Sequence, residues 1–117
     1  MKDDTLYLVH MVEHARKVRD RVSRLDRSGF DADEDVRLAL THLIQVIGEA
    51  ARLVTPTTRA KHPALPWTLV TGMRHRIVHD YVHINYDVVW QTAITSIPAL
   101  LAELEPTIGP IIDGRKP

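Results

Sequence analysis

The 117-residue chain contains no cysteine, which removes disulfides and thiolate zinc sites from consideration and fits a reducing cytosol. It carries no net charge, because fifteen Lys and Arg balance fifteen Asp and Glu. A balanced chain is not a bulk electrostatic binder of nucleic acid. Contact with RNA would need a local positive patch, or one made by pairing two copies. No apolar run approaches the ~18 residues that a membrane span requires. The opening Met1-Lys2-Asp3-Asp4 places acids where a secretory leader would be basic and then apolar. A cytoplasmic protein without membrane association is therefore expected. Aromatics are scarce, with one Phe, two Trp and three Tyr, so the core must be built from aliphatic stripes. No stretch sustains period-two alternation, and there is neither an internal repeat nor a low-complexity tract.

What the chain does have is helical periodicity. Leu8, Met11, Ala15, Val18, Val22 and Leu25 recur at steps of three and four, predicting a helix over 5–25 that Ser28-Gly29 ends. Arg16, Lys17, Arg19, Asp20, Arg21 and Arg24 fill the rest of that helix and read as a solvated face. Asp31 or Asp33 can cap a second helix, with Glu34 and Asp35 in its first turn, where the helix dipole favours acids. Its stripe runs through Val36, Leu40, Leu43, Ile44, Ile47, Ala50, Ala51 and Val54. Gly48 interrupts that stripe at a cost of up to ~1 kcal/mol against alanine, which close approach of a neighbouring helix would offset. Glu49 beside it is either a surface carboxylate or a partner for an arginine on an adjacent helix.

Thr55-Pro56 stops the second helix, and 57–62 has room for one short helical turn. A third helix is predicted from Pro66 to about Tyr81, and a fourth from Asn85 or Tyr86 through Leu104, kinked at Pro98. Pro106, Gly109 and Pro110 should break the pattern. The expectation is one domain over 1–117 with a loose tail from about residue 106. Its fold class is all-α: an antiparallel up-and-down four-helix bundle with an extra short helix.

The most unusual stretch is Arg74-His75-Arg76-Ile77-Val78-His79-Asp80-Tyr81, set between apolar segments. Charge there is costly unless solvated or paired, so the stretch is a solvated face or a site. His75, His79 and His83 stand four apart and would share a face of a continuous helix. No carboxylate falls into step with them and no HExxH pattern occurs, which argues against a resident metal. Cleavage of an RNA phosphodiester by its own 2′-hydroxyl needs no metal. It needs a base, an acid and a cation for the crowded phosphorane. Histidine can serve as base or acid, and arginine offers forked donors to phosphate oxygens. One difficulty is geometric: on a straight helix His79 sits about 140° from Arg74. Either the helix distorts near His79 or the site is a cleft. By spacing alone, satisfied polar positions at a helix end are the commoner arrangement.

At these residues the sequence resembles the HepT-like toxins of the HEPN superfamily, whose motif is Arg, four residues, His, one residue, Tyr. Here that is Arg74, His79 and Tyr81. Ile47-Gly48-Glu49-Ala50-Ala51, His62-Pro63 with Leu65-Pro66-Trp67, Val88-Val89-Trp90 and Ile97-Pro98-Ala99-Leu100 resemble the family's flanking segments in the same order. The resemblance implies an α-helical bundle that forms a homodimer with two motifs facing a shared cleft. It implies a metal-independent endoribonuclease without cofactor, acting on tRNA or mRNA as the toxin of a type VII-like toxin–antitoxin pair. The implied antitoxin is a minimal nucleotidyltransferase that transfers AMP to the motif tyrosine, Tyr81. Arg74 and His79 map to the catalytic pair; His75, Arg76 and Glu49 are candidates for RNA or phosphate binding, or for support. His75 stands where the family usually has asparagine. The alternatives are a non-catalytic dimeric partner of a nucleotidyltransferase and a plain helical scaffold.

Overall fold

The computed structural model describes residues 3–80 and 83–114, with side chains throughout except those of His79 and Asp80. Three long helices carry the core: α1 (Thr5–Val22), α3 (Glu34–Arg52) and α8 (Ile97–Gly114), with α1 packed against both of the others. Between them lie α2 (Arg27–Ala32), α4 (Pro56–Arg59), α5 (Trp67–Thr71), α6 (Met73–Ile77) and α7 (Tyr86–Gln91). The expected aliphatic stripes meet in one core: Leu8, Met11, Ala15 and Val18 of α1 are buried with Leu40, Ile44 and Ile47 of α3 and Ile97, Leu100 and Leu104 of α8. Helix α3 starts where the capping chemistry puts it, since the Asp33 carboxylate accepts from the Val36 N–H. No described helix is long and apolar enough to cross a membrane.

Gly48 is buried because another backbone passes over it. A Cβ there would stand 3.3 Å from the Val70 carbonyl oxygen of α5 and 3.8 Å from Met73 Cβ of α6. The missing side chain thus lets the motif-bearing segment lie directly on α3. Gly48→Val is expected to cost about 1–3 kcal/mol by overpacking, read as a lowered midpoint in urea unfolding.

Four sequence expectations need correction. Helix α1 stops at Val22, and Ser28-Gly29 is not a break but part of α2, capped by Asp26, whose carboxylate accepts from the Gly29 N–H at 2.8 Å. That turn exists to bury Phe30, which packs on Trp90 and Tyr86 with ring centroids 5.1 and 6.2 Å away. Second, the helix predicted over 66–81 is divided at Gly72 and ends at Ile77. The chain continues as two short antiparallel strands, β1 (Val78–Asp80) and β2 (His83–Ile84), in a fold that is otherwise helical.

Third, Pro106, Gly109 and Pro110 lie inside α8 rather than ending it, so the expected loose tail from about 106 is helix as far as Gly114. Pro98, Pro106 and Pro110 are all solvent-exposed, so carbonyls that lose their helical donor can turn to water, while Ile108 and Ile112 stay buried and hold the helix down. The kink expected at Pro98 takes the form of a π-helical turn over Thr92–Ser96 just before it, in which the Ile97 N–H donates to the Thr92 carbonyl.

Fourth, the charges of α1 are not simply solvated. Arg16 is partly buried and forks onto Glu105, at 2.8 and 2.7 Å, and reaches Asp113 at 3.0 Å. Gly109 makes room for this, because a Cβ there would lie 2.5 Å from Glu105 Oε1 and 3.1 Å from Arg16 Nη2. The Arg16 hydrogen bond holds the Glu105 carboxyl below its ordinary pKa. A lowered carboxyl pKa stabilises the fold above the unfolded value, and that stabilisation is lost as pH falls through the folded value. Glu105→Gln is therefore expected to cost about 1–2 kcal/mol at pH 7. The gap to the unmodified protein should close in thermal melts taken progressively below about pH 4.

Candidate active site

The unusual charged stretch begins inside the core. Val70, Met73 and Ile77 turn inward at helical spacing and are buried, which leaves Arg74, His75 and Arg76 exposed between two anchors. These three fill the last turn of α6, where the negative end of the helix dipole favours cations. At Val78 the backbone becomes extended, with φ −94° and ψ 109°. Val78 then pairs with Ile84 and Asp80 with His83, with an irregularity between the two pairs. Both Val78 and Ile84 are partly buried against the core, so the strand pair is seated rather than free.

Asn85 closes this excursion. Its N–H donates to the Ile77 carbonyl at 2.7 Å, and its side-chain oxygen accepts from the Val88 N–H at 3.2 Å. One residue thereby satisfies the end of α6 and caps the start of α7, bringing both ends of the 78–84 segment together. The sequence identified Asn85 as a helix start but gave no sign of its bond to Ile77.

The geometric difficulty posed by a straight helix disappears with the helix. Arg74 sits on α6, whereas the backbone of His79 lies on β1, beyond the helix end. The same break separates the three histidines, which fall on α6, β1 and β2 and cannot share one helix face. Among the described residues no group of three metal-ligating side chains gathers. The His79 side chain, and Tyr81 altogether, lie outside what the structure describes.

Arg74 opens onto a groove of about 320 Å³ whose other wall is α3: His42, Gln45, Val46 and Glu49. Their spacing of three, four and seven sets them on one side of the helix. Glu49 is half-exposed; its contact is a loose 3.7 Å pair with Arg52 on its own helix rather than with an arginine across the groove. Arg74 makes no ion pair among the described residues. His75 and Arg76 are exposed on α6 outside the groove lining. His42 and Gln45 escaped attention in the sequence, although their helical phase with Glu49 was a usable signal.

Comparison with known families places this helical domain among the HepT-like ribonucleases of the HEPN type. A family model described as ribonuclease HepT-like matches residues 11–107, and the chain belongs to that family. It is 30% identical over 116 residues to a protein of Caldanaerobacter subterraneus subsp. tengcongensis named "Putative RNase", covering 99% of this chain and 100% of that one. A Methanocaldococcus jannaschii protein also named "Putative RNase" is 28% identical over 104 residues, 89% of this chain and 95% of the relative. "Probable ribonuclease HepT" of Thermococcus cleftensis is 25% identical over 99 residues, 85% and 90% of the two chains. No solved structure matches the chain.

Proposed function

We propose that this protein is a metal-independent endoribonuclease, the toxin of a cytoplasmic toxin–antitoxin pair, acting as a homodimer of up-and-down helical bundles. The observation that carries this reading is the family match across residues 11–107, which spans the whole Arg74–Tyr81 stretch. The chemistry is transesterification within the RNA. A base removes the 2′-hydroxyl proton, the 2′-oxygen bonds to phosphorus, and the bond to the 5′-oxygen breaks as an acid protonates it. The products are a 2′,3′-cyclic phosphate and a 5′-hydroxyl. His79 serves as base or acid, and a second copy supplies the complementary imidazole across a two-fold axis. Arg74 donates to the non-bridging oxygens as negative charge builds on the phosphorane. His75 and Arg76 add donors and positive potential beside it, and Glu49 supports the site from the α3 wall.

Restraint comes from a minimal nucleotidyltransferase antitoxin that transfers AMP to Tyr81, adding bulk and negative charge where RNA phosphate must lie. Mass spectrometry after co-expression is expected to place the adduct on Tyr81; an adduct confined to Tyr7 or Tyr86 would overturn that assignment. The activity itself is tested by incubating purified protein with tRNA and mRNA in EDTA. Fragments ending in cyclic phosphate are expected. Intact RNA would favour a non-catalytic dimeric partner of the nucleotidyltransferase, the reading to which His75 and the neutral net charge lend some support.

A further inference from the structure

The α3–α6 groove holds four polar side chains that the fold leaves largely unused. His42, Gln45 and Arg74 make no side-chain hydrogen bond among the described residues, and Glu49 has only its loose contact with Arg52. Groups that stabilise the fold are elsewhere fully engaged: Arg16 with Glu105 and Asp113, Arg27 with Asp31 and Asp87, Asp4 with Thr55. A surface that keeps its donors and acceptors for something else, beside a guanidinium with no ion pair among the described residues, has the composition of a ligand site. Its volume of about 320 Å³ suits one nucleobase with its attached phosphate.

We infer that this groove is a base-recognition subsite selecting guanine in the nucleotide whose phosphate Arg74 holds. The inference rests on the ribonuclease reading for its substrate class and on the groove for its selectivity. A carboxylate is acceptor-only. Guanine alone among the four bases presents two adjacent donors on its Watson–Crick edge, N1–H and the N2 amino group, matched to the two oxygens of Glu49. Adenine and cytosine offer one amino group beside an acceptor nitrogen. Uracil offers one N–H between two carbonyls that a carboxylate repels. Gln45, one helical turn before Glu49, carries an amide that donates to guanine O6, the acceptor next along that edge. Val46 supplies an apolar wall, and the flat ring of His42 gives a surface on which the base can stack.

The test uses uncleavable 2′-O-methyl pentanucleotides, UUXUU, with X as G, inosine, A, C or U, binding to the full-length protein by fluorescence anisotropy. Inosine keeps N1–H and O6 and lacks only the N2 amino group. The G oligomer is expected to bind about tenfold more tightly than the inosine oligomer, and at least as much more tightly than the other three. Glu49→Gln should bring the G and inosine oligomers within about twofold of each other, because the amide presents one acceptor and one donor where the carboxylate presents two acceptors. Equal binding of G and inosine by the unmodified protein would overturn the inference, as would a preference that survives Glu49→Gln. Guanine-selective binding without cleavage of unmodified RNA would leave this inference standing and remove the ribonuclease reading; cleavage without guanine preference would do the reverse.

Discussion

His79→Ala is expected to slow metal-free RNA cleavage by about a hundredfold to ten-thousandfold, the range that a positioned proton-transfer group contributes. The residue lies on β1, past the end of α6, in a segment held at both ends by main-chain bonds and by the partly buried Val78 and Ile84. Val78 and Ile84, which seat the strand pair on the core, are untouched by the substitution, so melting temperature and particle mass should hardly change. The rate profile of the unmodified protein should be bell-shaped, since one imidazole must be free and the other protonated. Because the substitution removes the imidazole from both copies, residual cleavage by the variant should lose the bell altogether. A variant that cuts as fast as the unmodified protein would remove His79 from the chemistry. So would a variant whose loss is matched by loss of the dimer.

Arg74→Ala comes next in size. Because Arg74 is exposed and unpaired among the described residues, its removal should shift stability by no more than about 0.5 kcal/mol. Cleavage should nonetheless fall by about a hundredfold to a thousandfold, the cost of deleting one donor aimed at a developing oxyanion. Arg74→Lys should recover only part of this, since an ammonium restores the charge but not the forked pair of donors. RNA binding by Arg74→Ala should also depend less steeply on salt, with the slope reduced by about one phosphate contact. Full activity in Arg74→Ala, measured together with its melt, would refute a phosphate-holding role.

At the start of α3 and at Gly48 a rule of local chemistry already announced the structure. Asp33 capped α3 where its carboxylate could reach Val36, and Gly48 marked a close crossing before the crossing partner was known. The charged stretch at 74–81 stood out as either a solvated face or a site, because charge between core segments is costly. The misses share one cause, which is distance along the chain. The third helix ends at Ile77 because Asn85, eight residues on, supplies the donor its last carbonyl needs and Val78 and Ile84 find burial as a strand pair. Helix α8 runs through two prolines because its buried face on α1 outweighs bonds lost on its exposed face. Arg16 leaves the solvated face because its two partners lie 89 and 97 positions away.

By itself, the order of residues determined the helical class, the aliphatic stripes, the caps and the cluster of arginine, histidine and tyrosine that places the chain in its family. Each of these depends on neighbours within a turn or two, where propensity and periodicity act. Only the tertiary structure decided that Arg74 leaves its helix end facing His42, Gln45 and Glu49, and that His79 stands on extended backbone instead of the same helix. Those outcomes depend on which surfaces are buried together, and burial is a property of the packed chain, not of any single segment within it.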